Sequence, residues 1–422
     1  MASRIAIIGT GYVGLTTGAC FAHLGHHVVC ADIDPRRIER LTQGHLPIFE
    51  PGLQEIVDEG LANGRLRFVV GAAEAAKDCE FAYLCVQTPQ GDDGAADLTY
   101  LQAAAREIAK ILPAHAVVVN KSTVPVGSTK VVERVLGRHD VAVVSNPEFL
   151  REGSAVTDFL KPDRVVIGSD DQSAATRVAD LYSDTSAHLI VTDPASAETI
   201  KYAANAFLAT KISFINAVAA VCEAVGADVN DVVLGIGYDK RIGHEFLRPG
   251  PGWGGSCFPK DTRAMVKIAE DAGYDFNLLK GVVVVNDEQR ERMVSKVEHA
   301  VGGSLAGAVV AAWGLTFKAN TDDLRESPAI AIIGELLERG AIVHAYDPQV
   351  QSHPTITVGN DPYDVCDGAD ALLVLTEWDE FRWLDLNKVI ARMRGASIVD
   401  TRNLLDRNAA LHAGFSYQGV GR

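Results

Sequence analysis

The chain has 422 residues, 47% hydrophobic and 22% charged, which is the composition of an ordinary soluble globular protein with room for two or three cored domains. Its 39 Lys and Arg stand against 55 Asp and Glu, a formal net charge of -16, and this excludes a general nucleic-acid or anionic-membrane surface, because both need a basic field. An anionic ligand must instead be held by helix N-termini and individual cations. Seven cysteines without CxxC spacing read as reduced thiols, not as a disulfide framework. With no basic-plus-apolar leader and no uninterrupted apolar run of about 18 residues, a cytoplasmic location is expected.

Arg4 to Ile8 is a short apolar, β-branched run and reads as a buried strand. It opens into Gly9-Thr10-Gly11-Tyr12-Val13-Gly14, then a helix to Leu24 ended by Gly25, then a strand from His27 to Ala31 ending at Asp32. This is a dinucleotide-binding unit: glycines let the turn close and the backbone approach a pyrophosphate at the helix N-terminus. Asp32 lies 18 positions after Gly14 (32 minus 14), where an acid meets the ribose 2′-hydroxyl and repels a 2′-phosphate, favouring NAD over NADP. Arg36 and Arg37 work against that preference, since a nearby arginine accommodates the phosphate.

Further strands are expected over Phe81–Val86, Ala116–Asn120 and Val141–Ser145. They open into the polar clusters Gln87-Thr88-Pro89, Lys121 to Thr129, and Asn146 to Gly153. Ligands of an open parallel sheet gather beyond the carboxyl ends of its strands, where all three clusters fall. Ordinary turn and cap chemistry explains Thr88 and Thr123 equally well. Glu148 and Glu152, four apart, would share one face of a helical turn; a solvated acidic face accounts for them equally well.

Ser196 to about Gly226 is one helical pattern without internal Pro or Gly, about 45 Å long at 1.5 Å per residue. Its alanines suit a central spine or a subunit contact. Lys201 and Asn205, at i and i+4, point the same way. Flanking Tyr202, Phe207 and Phe214 argue for burial, and a buried ammonium needs a partner. Then comes Pro249 to Asp261, PGPGWGGSCFPKD. Its glycines permit a tight bend against a ligand, and Cys257, with Lys260 and Asp261 close behind, is a candidate nucleophile. The competing readings are a buried small thiol and a helix cap at Asp261.

The last third repeats the first. Ala308–Trp313 reads as a strand, Pro328–Glu338 as a helix, and Ile342–Tyr346 as a strand ending in Asp347-Pro348, matching Asp32 and Asp34-Pro35. Ala371–Leu375 echoes Phe81–Val86. The second half lacks GxGxxG and offers Phe317, Lys318 and Arg325, which suits a nucleotide whose phosphate meets side chains. The expected fold class is therefore α/β, with two Rossmann-like doubly wound domains joined by a helical middle domain with one long central helix. The expected boundaries are 1–195, 196–300 and 301–422.

GTGYVG, STVPVGS, NPEFLREG, KYAANAFLATKISFIN, RIGHEFLRPGPGWGGSCFPKD and GLTFKANTDDLRESP, in this order across the chain, resemble the UDP-glucose/GDP-mannose 6-dehydrogenase family. GWGGSCFPKD with RIGHEFL resembles its UDP-glucose branch. The resemblance implies oxidation of a sugar-nucleotide C6 alcohol to a carboxylate by two NAD, as in making UDP-glucuronate from UDP-glucose for polysaccharide. It implies that Cys257 forms a thiohemiacetal and then a thioester, and that Lys201, Asn205 and Asp261 surround the C6 oxygen. Glu148 would activate the hydrolytic water, with Thr123 helping to place it. Implied cofactor contacts are Gly11, Tyr12, Val13, Asp32, Arg37, Thr88, Thr123, Glu152, Lys260 and Arg325, with Glu152 a hinge between the two ligand sites. Implied substrate contacts are Glu148, Phe149, Leu150, Glu152, Lys201, Asn205, Phe246, Leu247, Gly254, Phe317, Lys318 and Arg402. Arg241 resembles an arginine lent across a dimer interface, so at least a homodimer is implied; no metal, nucleic acid or membrane partner is. One departure is Thr401, between Asp400 and Arg402, where family members often have glycine. The alternatives are GDP-mannose or a UDP-N-acetyl sugar as substrate, or a catalytically silent NAD-sensing protein on the same fold.

Overall fold

The computed structural model describes residues 2–89, 91 and 96–422. The chain divides into two compact units, Met1–Ala204 with Arg263–Ala272, and Asn205–Thr262 with Gly273–Arg422. The first is built on an eight-stranded sheet. Its strands are β1 (Arg4–Ile8), β2 (His27–Asp32), β3 (Leu66–Val70), β4 (Phe81–Leu84), β5 (Val117–Asn120), β6 (Ala142–Ser145), β7 (Arg164–Gly168) and β8 (His188–Thr192). They lie in the order β3-β2-β1-β4-β5-β6-β7-β8, and β6 and β7 alone meet antiparallel. Strands such as β4 and β5 are buried at every position, because helices cover both faces of a parallel sheet and leave no polar side to alternate with.

The second unit carries an all-parallel sheet of β9 (Val309–Trp313), β10 (Ile342–Tyr346), β11 (Thr357–Val358), β12 (Ala371–Val374), β13 (Ser397–Asp400) and β14 (Ser416–Gln418), ordered β11-β10-β9-β12-β13-β14. Both sheets reverse their winding beside their first strand, between β1 and β4 and between β9 and β12. That reversal opens the crevice in which doubly wound folds bind nucleotides. The repeat read from the sequence is thus a repeat of topology.

Pro194–Val225 is a single helix of 32 residues, with Pro194 in its first turn and Gly226 (φ 75°) just past its end. Among the described residues it is the one helix long and apolar enough to cross a membrane. Its hydrophobicity comes from scattered aliphatics interrupted by Lys201, Asn205, Ser213 and Asn216, all buried with hydrogen-bond partners. Two expectations change here. Phe207 and Phe214 are exposed (64% and 55%) while Tyr202 is buried, since positions 207 and 214 fall on the side of the helix away from 201 and 205. Residues 146–150 are not helical and the next helix starts at Ala155. Pro147 keeps Asn146 extended, and the Leu150 N–H is taken by the Glu148 carboxylate at 2.6 Å. Glu148 and Glu152 therefore share no helical face, and buried Glu148 is no solvated acid either.

Candidate active site

The turn after β1 is shaped for a dinucleotide. Gly14 packs so closely under it that a Cβ there would meet the Gly9 carbonyl oxygen at 1.9 Å, whereas a Cβ on Gly11 would meet nothing within 4 Å. That open space lies over the first turn of helix Tyr12–His23, whose N–H groups favour a pyrophosphate. Tyr12 and Val13 are half-buried in that turn. Asp32 at the end of β2 accepts the Thr10 N–H at 3.0 Å, the Thr10 hydroxyl at 2.7 Å and the Asp34 N–H at 3.1 Å. Arg37 reaches it at 3.6 Å. Burial alone would push its carboxyl up; these donors outweigh burial and hold it below the usual carboxylate range. Arg37 is thus engaged by the acid it was expected to compete with.

At the ends of β4 and β5, the Thr88 hydroxyl donates to the Thr123 carbonyl at 2.8 Å, tying the two loops together. After β6, Glu148 is buried and accepts Lys201 Nζ at 2.9 Å as well as the Leu150 N–H. Burial pushes this carboxyl up, but Lys201, the Leu150 N–H and Lys121 together turn the net direction down, so it is held as a carboxylate. The Phe149 ring lies beneath the Arg164 guanidinium at 3.8 Å and 5.4 Å from the Lys201 ammonium. Glu152 is half-buried in the following loop; the Tyr12 phenol is pushed up chiefly by burial and by Glu50, with a smaller part from Glu152.

In the second unit, the thiol loop separates one cysteine from the rest. All seven are free and six are buried. Burial pushes Cys79, Cys85 and Cys366 up to about 12, which leaves them inert at neutral pH. Cys257 alone is partly open. Its carbonyl accepts the Asp261 N–H at 2.8 Å, so it stands at the N-terminus of helix Phe258–Asp271, where the positive end of the helix dipole favours a thiolate. Asp261 is fully buried inside the first turn. Its carboxylate accepts Asn205 Nδ2 at 2.6 Å and Lys260 Nζ at 2.5 Å. The cap reading of Asp261 therefore fails: its side chain serves Asn205, not the helix end. Upstream, Leu247 is buried, and Phe246 adopts a left-handed φ of 61°, strained for an aromatic and a mark of a constrained site. Gly254 comes so close to the Glu326 carbonyl that a Cβ would lie 2.0 Å from it.

Elsewhere in this unit, Arg402 donates to the Leu375 and Phe317 carbonyls at 2.8 and 2.9 Å, and Lys318 Nζ lies 5.5 Å from the Phe317 ring centroid. Thr401 fits where glycine was expected because its hydroxyl donates to the Val374 carbonyl at 2.7 Å. Arg325 is clasped by Asp323. Arg241 is 88% exposed and clasped by Asp239.

Sequence reading missed the residues that hold these groups in place. The Glu50 carboxylate accepts the Tyr12 hydroxyl and the Gly153 and Ala155 N–H groups, the latter two at 2.7 Å, and so binds the dinucleotide turn to the loop after Glu148. The backbone of Pro249–Gly255, all buried, is carried by side chains. Asn216 accepts Gly250 N–H, Gln289 donates to Gly250 O, Asn286 clasps the Trp253 amide, and Ser213 accepts the Trp253 indole. The available signal was a lone polar residue in an apolar helical stretch, as at Asn216 and Asn286.

Family models match in sequence. That of the UDP-glucose/GDP-mannose dehydrogenase NAD binding domain covers residues 3–186, the central domain 195–288 and the UDP binding domain 311–407. The chain is 47% identical over 434 residues to a UDP-glucose 6-dehydrogenase of Rhizobium meliloti (strain 1021), covering 99% of each. It is 46% identical to UDP-glucose 6-dehydrogenase TuaD of Bacillus subtilis (strain 168), covering 99% of this chain and 93% of that one. Among solved structures, it superposes on a UDP-glucose dehydrogenase from Pyrobaculum islandicum with a TM-score of 0.92 at 40% identity, covering 100% of this chain and 98% of that one.

Proposed function

The chain belongs to the UDP-glucose/GDP-mannose dehydrogenase family, and from that premise we infer an NAD-dependent oxidoreductase that converts the C6 alcohol of UDP-glucose to the carboxylate of UDP-glucuronate. The observation that carries this reading is Cys257: the one cysteine that is not buried, at a helix N-terminus, four residues from a buried Asp261 bonded to Asn205.

Bound NAD supplies the hydride acceptor, twice per turnover; Gly11, Tyr12, Val13, Asp32, Arg37, Thr88 and Glu152 are the residues proposed to hold it, with Lys260 and Arg325 as further contacts. In the first oxidation C6 loses a hydride and its hydroxyl loses a proton, which Asp261 takes directly or through water. Lys201 and Asn205 stabilise the developing alkoxide; such donors are worth about 10²–10³ in rate. The Cys257 thiolate then adds to the aldehyde carbon, and the oxygen gains a proton. Loss of a second hydride and that proton leaves a thioester. Glu148 takes a proton from water placed by Thr123, the hydroxide attacks, and Cys257 leaves as thiolate. One alcohol and one water become a carboxylate, and four electrons leave. The uridine nucleotide is assigned to Phe149, Leu150, Phe246, Leu247, Gly254, Phe317, Lys318 and Arg402, within a division at 1–195, 196–300 and 301–422.

A homodimer is also proposed. Phe207, Phe214, Val221 and Val225 on the long helix, with Leu234, Tyr238 and Ile242 beyond it, are exposed large apolar residues, and only 33% of that helix's most apolar stretch is buried in the single chain. A second copy covers such a stripe economically and lets Arg241 serve the neighbour's substrate. Seven free thiols suit the reducing cytoplasm.

Stoichiometry tests the reaction: NADH formed per UDP-glucose consumed is expected at about two. A ratio of one, or no NADH with UDP-glucose while GDP-mannose or a UDP-N-acetyl sugar is oxidised, would overturn it.

A further inference from the structure

We propose that Lys121 is the second counter-charge of Glu148, a buried ammonium that keeps this carboxylate ionised when Lys201 turns from it to the sugar oxygen. The inference rests on the reading of Glu148 as the base that activates water.

Lys121 follows β5 directly and is 5% exposed. Its Nζ donates to Asn146 Oδ1 at 3.1 Å and to the Tyr182 hydroxyl at 3.4 Å, and lies 5.7 Å from the Tyr182 ring centroid. Those two partners are fixed in turn: Tyr182 donates to Asn146 Oδ1 at 2.7 Å, and Asn146 Nδ2 to the Val166 carbonyl at 2.8 Å. Among the described residues, Lys121 thus has only neutral hydrogen-bond partners. A buried ammonium in that position costs several kcal/mol that a methionine would not, so packing does not explain it.

The missing compensation is Glu148, two residues beyond Asn146. Lys121 and Glu148 each feel the other's charge. The ionisable groups that act on Lys121 are Glu148, Cys85 and Lys201, with Tyr182 against it; those that act on Glu148 are Lys201, Lys121, Arg164 and Cys85. Burial pushes the Lys121 ammonium down to about 8, so it is charged over the acid range in which a carboxylate would otherwise take up a proton. The proposed chemistry asks Lys201 to neutralise an alkoxide. Without Lys121, Glu148 would then keep only Arg164, half-buried and stacked on the Phe149 ring, as a nearby cation; it would take up a proton more readily and weaken as a base.

The test uses K121M, which removes charge and donor, and K121Q, which keeps a donor without the charge. In NAD-bound enzyme, infrared pH-difference spectra follow the protonated-carboxyl band of Glu148, assigned by its loss in E148Q. Both variants should move that titration upward by about one unit or more, and the acid limb of kcat should move with it while KM for UDP-glucose stays near the wild-type value. A Glu148 titration unchanged in both variants overturns the proposal. So does a shift in K121M that K121Q restores, which would assign Lys121 a hydrogen-bonding role only. The underlying reading fails separately: E148Q turning over at the wild-type rate removes Glu148 as the base, whatever its titration does.

Discussion

Replacing Gly254 by alanine tests whether the thiol loop is a positioned device or a loose turn. The added Cβ would stand 2.0 Å from the Glu326 carbonyl oxygen and 2.8 Å from Pro328 Cδ. A tolerable carbon–oxygen contact is about 3.3 Å, so more than 1 Å must be recovered, and both obstacles are backbone or ring atoms that cannot swing aside. The loop resists moving as well, because Asn216, Gln289, Asn286 and Ser213 hold Gly250 and Trp253. Displacement therefore passes down the chain to Cys257, three residues on. Misplacing a reacting group by about 1 Å costs on the order of 10² in rate, and overpacking of this kind costs about 1–3 kcal/mol in stability. The assay is kcat for NADH formation together with the urea unfolding midpoint, with Gly334→Ala as control, since nothing lies within 4 Å of a Cβ there. Wild-type kcat and midpoint in Gly254→Ala would refute the reasoning.

Cys257→Ser should abolish complete turnover yet bind UDP-glucose normally by calorimetry; wild-type turnover would remove the thioester. Asp32→Ala should raise KM for NAD and narrow the gap to NADP, because it removes both the acceptor and the repulsion; an unchanged NAD/NADP ratio of kcat/KM counts against the assigned role. Glu198 caps helix Ser128–Leu136 through Gly127, Thr129 N–H and the Thr129 hydroxyl, and burial raises its carboxyl above the usual range despite these donors. The folded state therefore keeps this proton longer than the unfolded chain, and the stability it contributes is fullest below the ordinary carboxylate value and is lost as pH rises through the raised one. Urea titrations between about pH 4 and 6 should show that fall in the wild type and less of it in Glu198→Gln; parallel curves would contradict the assignment. Phe214→Asp should give monomers in sedimentation with reduced activity, whereas an intact dimer would move the interface elsewhere.

Much of the fold was legible because its signals are local. β1, helix Pro328–Glu338 and β10 fall at their expected limits, each bounded by a glycine, a proline or an acid. Where strands are read too long, as at Cys85 and Val86, hydrophobicity persists past the last ladder pair because Cys85 is buried and Val86 partly buried in a loop. The residues proposed as reactive groups could be singled out by type and spacing, but their partners could not. Glu148 and Lys201 are 53 positions apart, Asn205 and Asp261 56 apart. Nothing in either sequence neighbourhood specifies its distant mate. Glu50 sits in a segment whose glycine and proline read only as a turn, and Lys121 reads as one more polar residue at a strand end.

The two half-repeats also offer a physical reason for the proposed division of oxidant and nucleotide sugar between them. Asp32 and Asp347 occupy the same topological place, after the second strand of each sheet. Asp32 accepts three hydrogen bonds, two from Thr10 and one from Asp34, out of about four lone-pair sites on a carboxylate, and its side chain is still 11% exposed. Capacity remains for a ribose diol. Asp347 accepts from Leu315, twice from Thr316, from Gln349 and from the Trp378 indole, and is buried. Four of these five bonds fall on Oδ2, and burial with the Trp378 indole against it leaves little of the carboxylate open to a ribose. This supports the proposed assignment, in which the second sheet takes a nucleotide held by side chains such as Lys318 and Arg402. The repeated topology provides two crevices, and on the proposed assignment the donors around a single carboxylate would decide which of them an adenosine ribose enters.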